Sequence, residues 1–157
     1  MNNDFTVQIK GLDELSENLE KLGDGMAQGE ALAECLEPAA ELLKQRIAAN
    51  APRDTGFMAD HIDTSTPKIG NASAHVNVRP SKSKYPKNPA TSERQKVRNR
   101  KGKLVDKNAA MVALYNEFGT SKMPKRPFIT QAFESTRRDA ENLIVTRLRA
   151  LLERLKS

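Results

Sequence analysis

Apolar and polar positions alternate at the start of the chain. Phe5, Val7 and Ile9 take one parity and Thr6, Gln8 and Lys10 the other, which predicts a half-buried strand near residues 5–10 that Gly11 ends. The period then lengthens. Leu12, Leu15, Leu19 and Leu22 recur at three- and four-residue spacing, so a short amphipathic helix follows, stopped by Gly23 and Gly25. Leu32, Leu36, Ala39 or Ala40, Leu43 and Ile47 form the stripe of a longer helix, from about Ala27 or Gly29 to Asn50. Pro38 lies inside it and predicts a kink or break near Glu34–Glu37, since an interior proline costs about 3 kcal/mol. His75-Val76-Asn77-Val78 predicts a strand over 74–79, and another could form near 62–66. Phe128, Ile129, Ala132, Phe133, Ala140, Leu148, Leu151, Leu152 and Leu155 mark a long C-terminal amphipathic helix, acidic early and basic late, expected to cover the sheet.

The run Ala109–Phe118 is apolar on both parities and reads as a strand, with Val112, Leu114, Asn116 and Phe118 alternating against Met111, Ala113, Tyr115 and Glu117. Beyond it Gly119 permits a positive φ, while Pro124 and Pro127 fix their own φ and push Met123 and Arg126 out of the helical region. The chain should therefore make a stiff excursion with few hydrogen bonds and enter the last helix with Pro127 at or near its first position. A phenylalanine at such a junction, here Phe128, more often closes the core than faces solvent. Met123, between a glycine turn and a proline, is harder to bury and reads as a contact for another subunit or partner. These patterns together predict one α+β domain over 1–157, with a small antiparallel sheet of three to four strands packed against two longer helices.

Charge changes this picture in one place. The 157-residue chain carries a formal +6, but eleven Lys/Arg and two acids lie between Arg79 and Lys107, a net +9, which leaves −3 for the rest. From 80 to 108 Pro, Ser, Lys, Arg and Asn dominate and apolar periodicity disappears, so a long basic loop inserted between strands is expected. Lys96, Arg98, Arg100, Lys101 and Lys103 are its candidates for contact with DNA phosphates, a channel wall or an acidic neighbour. Tyr85 is its only aromatic residue, so base stacking has little to work with. The charge run reads first as a solvated loop and only second as a DNA contact, since runs of like charge are usually solvated faces.

Catalytic readings fail on context. Asp54-Thr55-Gly56 has the letters of an aspartic protease, but that chemistry needs two aspartates sharing a proton, each on a turn fed by an apolar strand, and Pro52-Arg53 at a helix end is no such setting. The triplet reads instead as a structural turn, with Asp54 as turn or N-cap residue and Gly56 setting the new direction. Gly119-Thr120-Ser121-Lys122 has the composition of a phosphate loop in the wrong order. His61, beside Asp60 and Asp63, lacks a third metal ligand at a recognised spacing. Neither cofactor nor metal is expected. Cys35, the one cysteine, falls on the apolar stripe of the second helix and reads as a buried reduced thiol. Met1-Asn2-Asn3-Asp4 has no secretory character, and no apolar run approaches membrane-spanning length, so cytoplasmic synthesis without membrane contact is expected.

Three stretches carry a family resemblance. Glu117-Phe118-Gly119-Thr120-Ser121-Lys122-Met123-Pro124 with Arg126-Pro127-Phe128 resembles the signature of tailed-phage neck proteins, the tail-component or tail-completion proteins typed on the tenth gene product of the Hong Kong 97 coliphage. Ile9-Lys10-Gly11-Leu12-Asp13-Glu14-Leu15 and Ala51-Pro52-Arg53-Asp54-Thr55-Gly56 resemble the same family, in the right order. Phe57-Met58-Ala59-Asp60-His61 departs from it, since relatives tend to carry Arg/Lys-Leu and a Ser before Ile. The resemblance implies a non-enzymatic virion protein that forms a homo-oligomeric ring, a hexamer in keeping with sixfold tail symmetry. That ring would join the tail tube to the DNA-filled head and contact a stopper or adaptor and the tube. Phe118, Gly119, Thr120, Ser121, Lys122, Met123, Pro124, Arg126, Pro127 and Phe128 are then the expected contact residues. The second reading is nucleic-acid binding through residues 79–107.

Overall fold

A computed structural model of the chain describes residues 17, 20, 24–99 and 101–156. The chain divides into two compact units, one of residues 1–40, 66–77 and 137–157, the other of residues 41–65 and 78–136. Two long helices, α1 (Gly25–Asn50) and α4 (Phe128–Lys156), contribute residues to both. Glu17 and Glu20 are helical, in keeping with the leucine spacing around them. The strand expected near 5–10 and most of the helix after it lie outside the described residues.

In the first unit α1 begins two residues ahead of the expected start because Asp24 caps it. The Asp24 carbonyl accepts from the Gln28 N–H at 3.0 Å, and its carboxylate accepts from the Met26 N–H at 2.9 Å. Cys35 and Ala39 pack with Ile144, Leu148, Leu151 and Leu152 of α4, and Leu32, Leu36, Leu143 and Leu155 border this cluster. Pro38 sits within α1 and does not divide it. Strands β2 (Lys68–Gly70) and β3 (Ser73–His75) form an antiparallel hairpin. Gly29 on α1 brings this hairpin close: a Cβ there would fall 2.7 Å from Ile69 Cγ2 and 2.9 Å from the Ser73 carbonyl oxygen, and closer still to that of Gly70.

The second unit holds the C-terminal turns of α1, a four-residue helix α2 (Phe57–Asp60), and strand β1 (Ile62–Thr64) paired antiparallel with β4 (Val78–Pro80). The stretch after Gly56 is thus a single helical turn followed by a strand. A third ladder pairs β5 (Lys96–Arg98) with β6 (Leu104–Asp106). Ile47, Ala51, Met58, Ala59, Ile62, Ala113, Phe128 and Ala132 form the core.

Three expectations are corrected. There is no sheet of three to four strands among the described residues: each ladder has two, and the strand expected over 74–79 is split between β3 and β4, which pair with different partners. The last helix accordingly packs on helix residues more than on a sheet. Residues 109–118 form a helix, α3 (Ala109–Phe118). Asn108 caps it by accepting from the Met111 N–H at 3.0 Å, and the buried residues Ala109, Ala113 and Glu117 recur at intervals of four. An apolar run on both parities has no period of its own, and its alanines and its asparagine cap settle the matter for the helix. Finally, residues 80–108, expected as a long basic loop inserted between strands, carry a ladder of their own and lead into the helix α3, not into a strand. Besides the β5–β6 hairpin, Tyr85 N–H donates to the Lys107 carbonyl, Lys107 N–H to that of Gln95, and Ala109 N–H to that of Ser83, at 2.8–3.0 Å.

Candidate interaction site

The α3–α4 connection brings most of the sequence-derived contact residues into one element. Gly119 ends α3 with φ +73°, and its N–H donates to the Tyr115 carbonyl at 2.9 Å. A Cβ at this position would fall 2.9 Å from both Lys125 N and Met123 O, so conformation and space each call for glycine. Thr120 and Met123 then close a tight turn, with Thr120 N–H donating to Met123 O at 2.8 Å and Lys122 N–H to Thr120 Oγ1 at 3.2 Å. Arg126 N–H donates back to the Asn116 carbonyl at 2.6 Å. The expectation of an excursion poor in hydrogen bonds is therefore wrong. The prolines limit the conformations, and the bonds select one.

Glu117 is what the sequence reading missed. Only 7% exposed, its carboxylate accepts from the Ile129 N–H at 2.9 Å, the Thr130 N–H at 3.0 Å and the Thr130 hydroxyl. Those amides belong to the first turn of α4, whose N-cap position is held by Pro127: its carbonyl accepts from the Gln131 N–H at 3.1 Å. Proline has no side-chain acceptor, so the orphan amides at the helix N-terminus are satisfied from twelve and thirteen residues upstream, and the negative charge also meets the positive helix end. A glutamate two residues before a Gly-Thr turn, followed by proline at a helix start, is the readable signal, and a strand reading of Ala109–Phe118 hides it.

This clamp presents some side chains and withdraws others. Phe118 is 58% exposed and Leu114 lies at the surface one turn earlier. Thr120, Ser121, Lys122, Pro124, Lys125 and Arg126 are exposed, Met123 and Pro127 half-buried. Phe128 is 3% exposed and sits in the core, so its side chain is removed from the contact set as an anchor of α4.

Of the basic candidates, Lys96 and Arg98 lie on β5, and Lys101 and Lys103 in the connection to β6, all exposed; Arg100 lies outside the described residues. The Tyr115 hydroxyl donates to the Arg98 carbonyl at 2.5 Å, so α3 touches the hairpin with one residue and clamps the loop with another. Asp106 is held by Lys84 at 2.9 Å, and this hydrogen bond and charge keep its carboxyl below the usual carboxylate range.

The Asp54-Thr55-Gly56 turn does not build a catalytic carboxylate. Asp54 is exposed and caps nothing; Gly56, at φ +77°, precedes α2, and Thr55 Oγ1 accepts from the Phe57 N–H at 3.4 Å. His61 stacks on Phe57 at 3.9 Å between centroids, with its Nδ1 2.7 Å from the Phe57 carbonyl, and Tyr85 packs against Phe57 under Lys107. Burial, then the charge of Asp54, pushes the Tyr85 hydroxyl pKa up. Among the described residues no three His, Cys, Asp or Glu side chains gather as a metal site, and no helix is long and apolar enough to cross a membrane. Burial chiefly, then Glu34, raises the Cys35 thiol, as fits a helix-packing residue.

The family model described as "Bacteriophage HK97-gp10, putative tail-component" matches residues 13–119, which span the Asp54 turn, the basic hairpin and α3 through Gly119. No curated protein and no solved structure matches the chain.

Proposed function

The chain belongs to the HK97-gp10-like family of bacteriophage tail components, and from that membership we propose that it is a tail-completion or tail-terminator protein of the phage neck. In this reading copies assemble into a homo-oligomeric ring, six subunits in keeping with sixfold tail symmetry, that joins the tail tube to the DNA-filled head. Its partners are a stopper or adaptor protein and the tube itself. Its work is interface formation in the virion, and no bond is made or broken.

The observation that carries this reading is Phe118. A large aromatic left 58% exposed at the end of a helix, on a backbone held rigid by Gly119 and Glu117, is built for a partner: rigid aromatic anchors lose little entropy on binding and dominate interface energies. Thr120, Ser121, Lys122 and Arg126 supply the polar rim.

Phe118→Asp and Met123→Asp test it. Phe118 faces solvent and Met123 is half-buried, so purified Phe118→Asp should keep the wild-type circular dichroism and melting temperature and Met123→Asp the circular dichroism, while heads and tails fail to join in a complementation assay. Phe118→Asp should have the larger effect, because Met123 is half-buried. Normal yields of infectious particles from Phe118→Asp would sink the proposal.

A further inference from the structure

We propose that the β5–β6 hairpin is a preorganised finger that binds the phosphate backbone of duplex DNA through Lys96, Lys101 and Lys103, with Asn99 as its positioning residue. The tip is fixed by its own hydrogen bonds. Asn99 Oδ1 accepts from the Lys101 and Lys103 N–H groups, each at 3.0 Å, while the backbone N–H and carbonyl of Asn99 bond Lys103 O and Gly102 N at 2.9 Å. Arg98 Nη1 donates to the Gly102 carbonyl at 2.7 Å, and Gly102 takes φ +75° to close the turn. The base is fixed by Tyr115 at Arg98 O and by the half-buried Val97–Val105 pair on the opposite face.

The charge on this scaffold is unspent. Among the described residues Lys96, Lys101 and Lys103 have no acid within ion-pair distance; the acid facing Lys96 across the ladder, Asp106, is held by Lys84. Holding cations on an ordered turn lowers the entropy lost when they meet a regular array of anions. Two features favour duplex phosphates over other polyanions. Tyr85 is already packed against Phe57 and covered by Lys107, and the finger offers no other free ring, so stacking on single-stranded bases is not available. Protein interfaces are depleted in lysine and anchored by aromatic residues and arginine, whereas here lysines carry the exposed tip. The inference rests on the hairpin alone and is independent of the ring, so a subunit that fails to join heads to tails should still bind.

Fluorescence anisotropy of the full chain with a labelled duplex of about 30 base pairs, titrated over about 50–200 mM salt, tests it. The wild type should bind with a steep inverse salt dependence. Replacing Lys96, Lys101 and Lys103 together by Gln should flatten the logarithmic slope by about 3, near 0.9 per lost phosphate contact, and weaken binding at least about tenfold at about 150 mM salt. Asn99→Ala keeps every charge and should weaken binding about threefold with little change in slope, since it loosens the tip without removing contacts. An unchanged slope in the triple variant, whose fold is checked by circular dichroism, overturns the proposal. So does competition by poly-glutamate as effective as by unlabelled duplex, which would assign the finger to an acidic polypeptide. Wild-type affinity in Asn99→Ala removes Asn99 from the proposal.

Discussion

Two exposed segments of the second unit, the α3–α4 connection and the β5–β6 hairpin, are fixed by opposite means. The connection is pinned from inside: the buried Glu117 carboxylate reaches the first turn of α4, and the side chains left outside include an aromatic anchor. The hairpin is pinned from its own surface, by an Asn99 side chain that satisfies two tip amides, and what it leaves outside is lysine. The difference shows how each segment can be used. A buried clamp is worth its keep where a partner presses an apolar surface against the loop and small misplacements are costly, whereas long-range charge tolerates a lighter tether.

Removing the two locks is the sharpest way to break this contrast. Glu117→Ala leaves the Ile129 and Thr130 amides without acceptors in a half-buried setting and should cost about 3 kcal/mol, combining a lost helix cap with lost bonds to a charged acceptor. Urea denaturation should show a lower midpoint. A loss under about 1 kcal/mol would mean that the connection holds its shape without the clamp.

Gly119→Ala should come next, at about 2 kcal/mol, because φ +73° with ψ near 180° is a region left almost wholly to glycine and the new Cβ would meet backbone on both sides. Thermal melts of this variant and Glu117→Ala, compared with the double variant, should be non-additive, since both act on one loop. Full additivity would separate the turn from the clamp. Asn99→Ala belongs lower, below about 1 kcal/mol for bonds made at an exposed turn. Its effect should appear in amide exchange: Lys101 and Lys103 should lose protection while the α3 and α4 amides keep theirs.

The contrast also accounts for what could be read from the chain alone. The long helices were legible because Leu32, Leu36, Leu148 and Leu152 repeat at helical spacing over many turns, and the stiffness of the 119–127 segment because Gly119, Pro124 and Pro127 act locally. The nature of Ala109–Phe118 was not, since the face it buries is Ala109, Ala113 and Glu117, two small residues and an acid that no hydrophobic period picks out. Glu117 escaped for the same reason: its role is defined by amides twelve and thirteen residues away, and only the tertiary fold brings them together. In the basic segment charge was legible and order was not, because Asn99, Tyr115 and Lys84 hold it through a few polar bonds instead of an apolar pattern. Phe128 carried two readings, a core residue from its place at the junction and a contact residue from its motif, and its side chain lies in the core.

The smallest effect concerns Asp106 at the root of the hairpin. Lys84 holds its carboxyl below the usual carboxylate range, so the folded pKa is depressed relative to the unfolded chain. The contribution of the pair is therefore fully present above the unfolded pKa and is lost as pH falls through the lower folded value, in the acid region below about pH 4. The Lys84 side chain is more than half exposed and that of Asp106 about a quarter exposed, so solvent still screens the pair and the stability change should be slight and weakened by salt. The titration itself is the better measurement: the Asp106 carboxyl, followed by carbon-detected NMR, should titrate below an ordinary aspartate, and Lys84→Met should move it upward. If Lys84→Met leaves that titration in place, the neighbouring Lys96 and Arg94 charges hold the carboxylate instead. Lys96 would then be partly committed within its own subunit, and the hairpin would have one cation fewer to offer a phosphate.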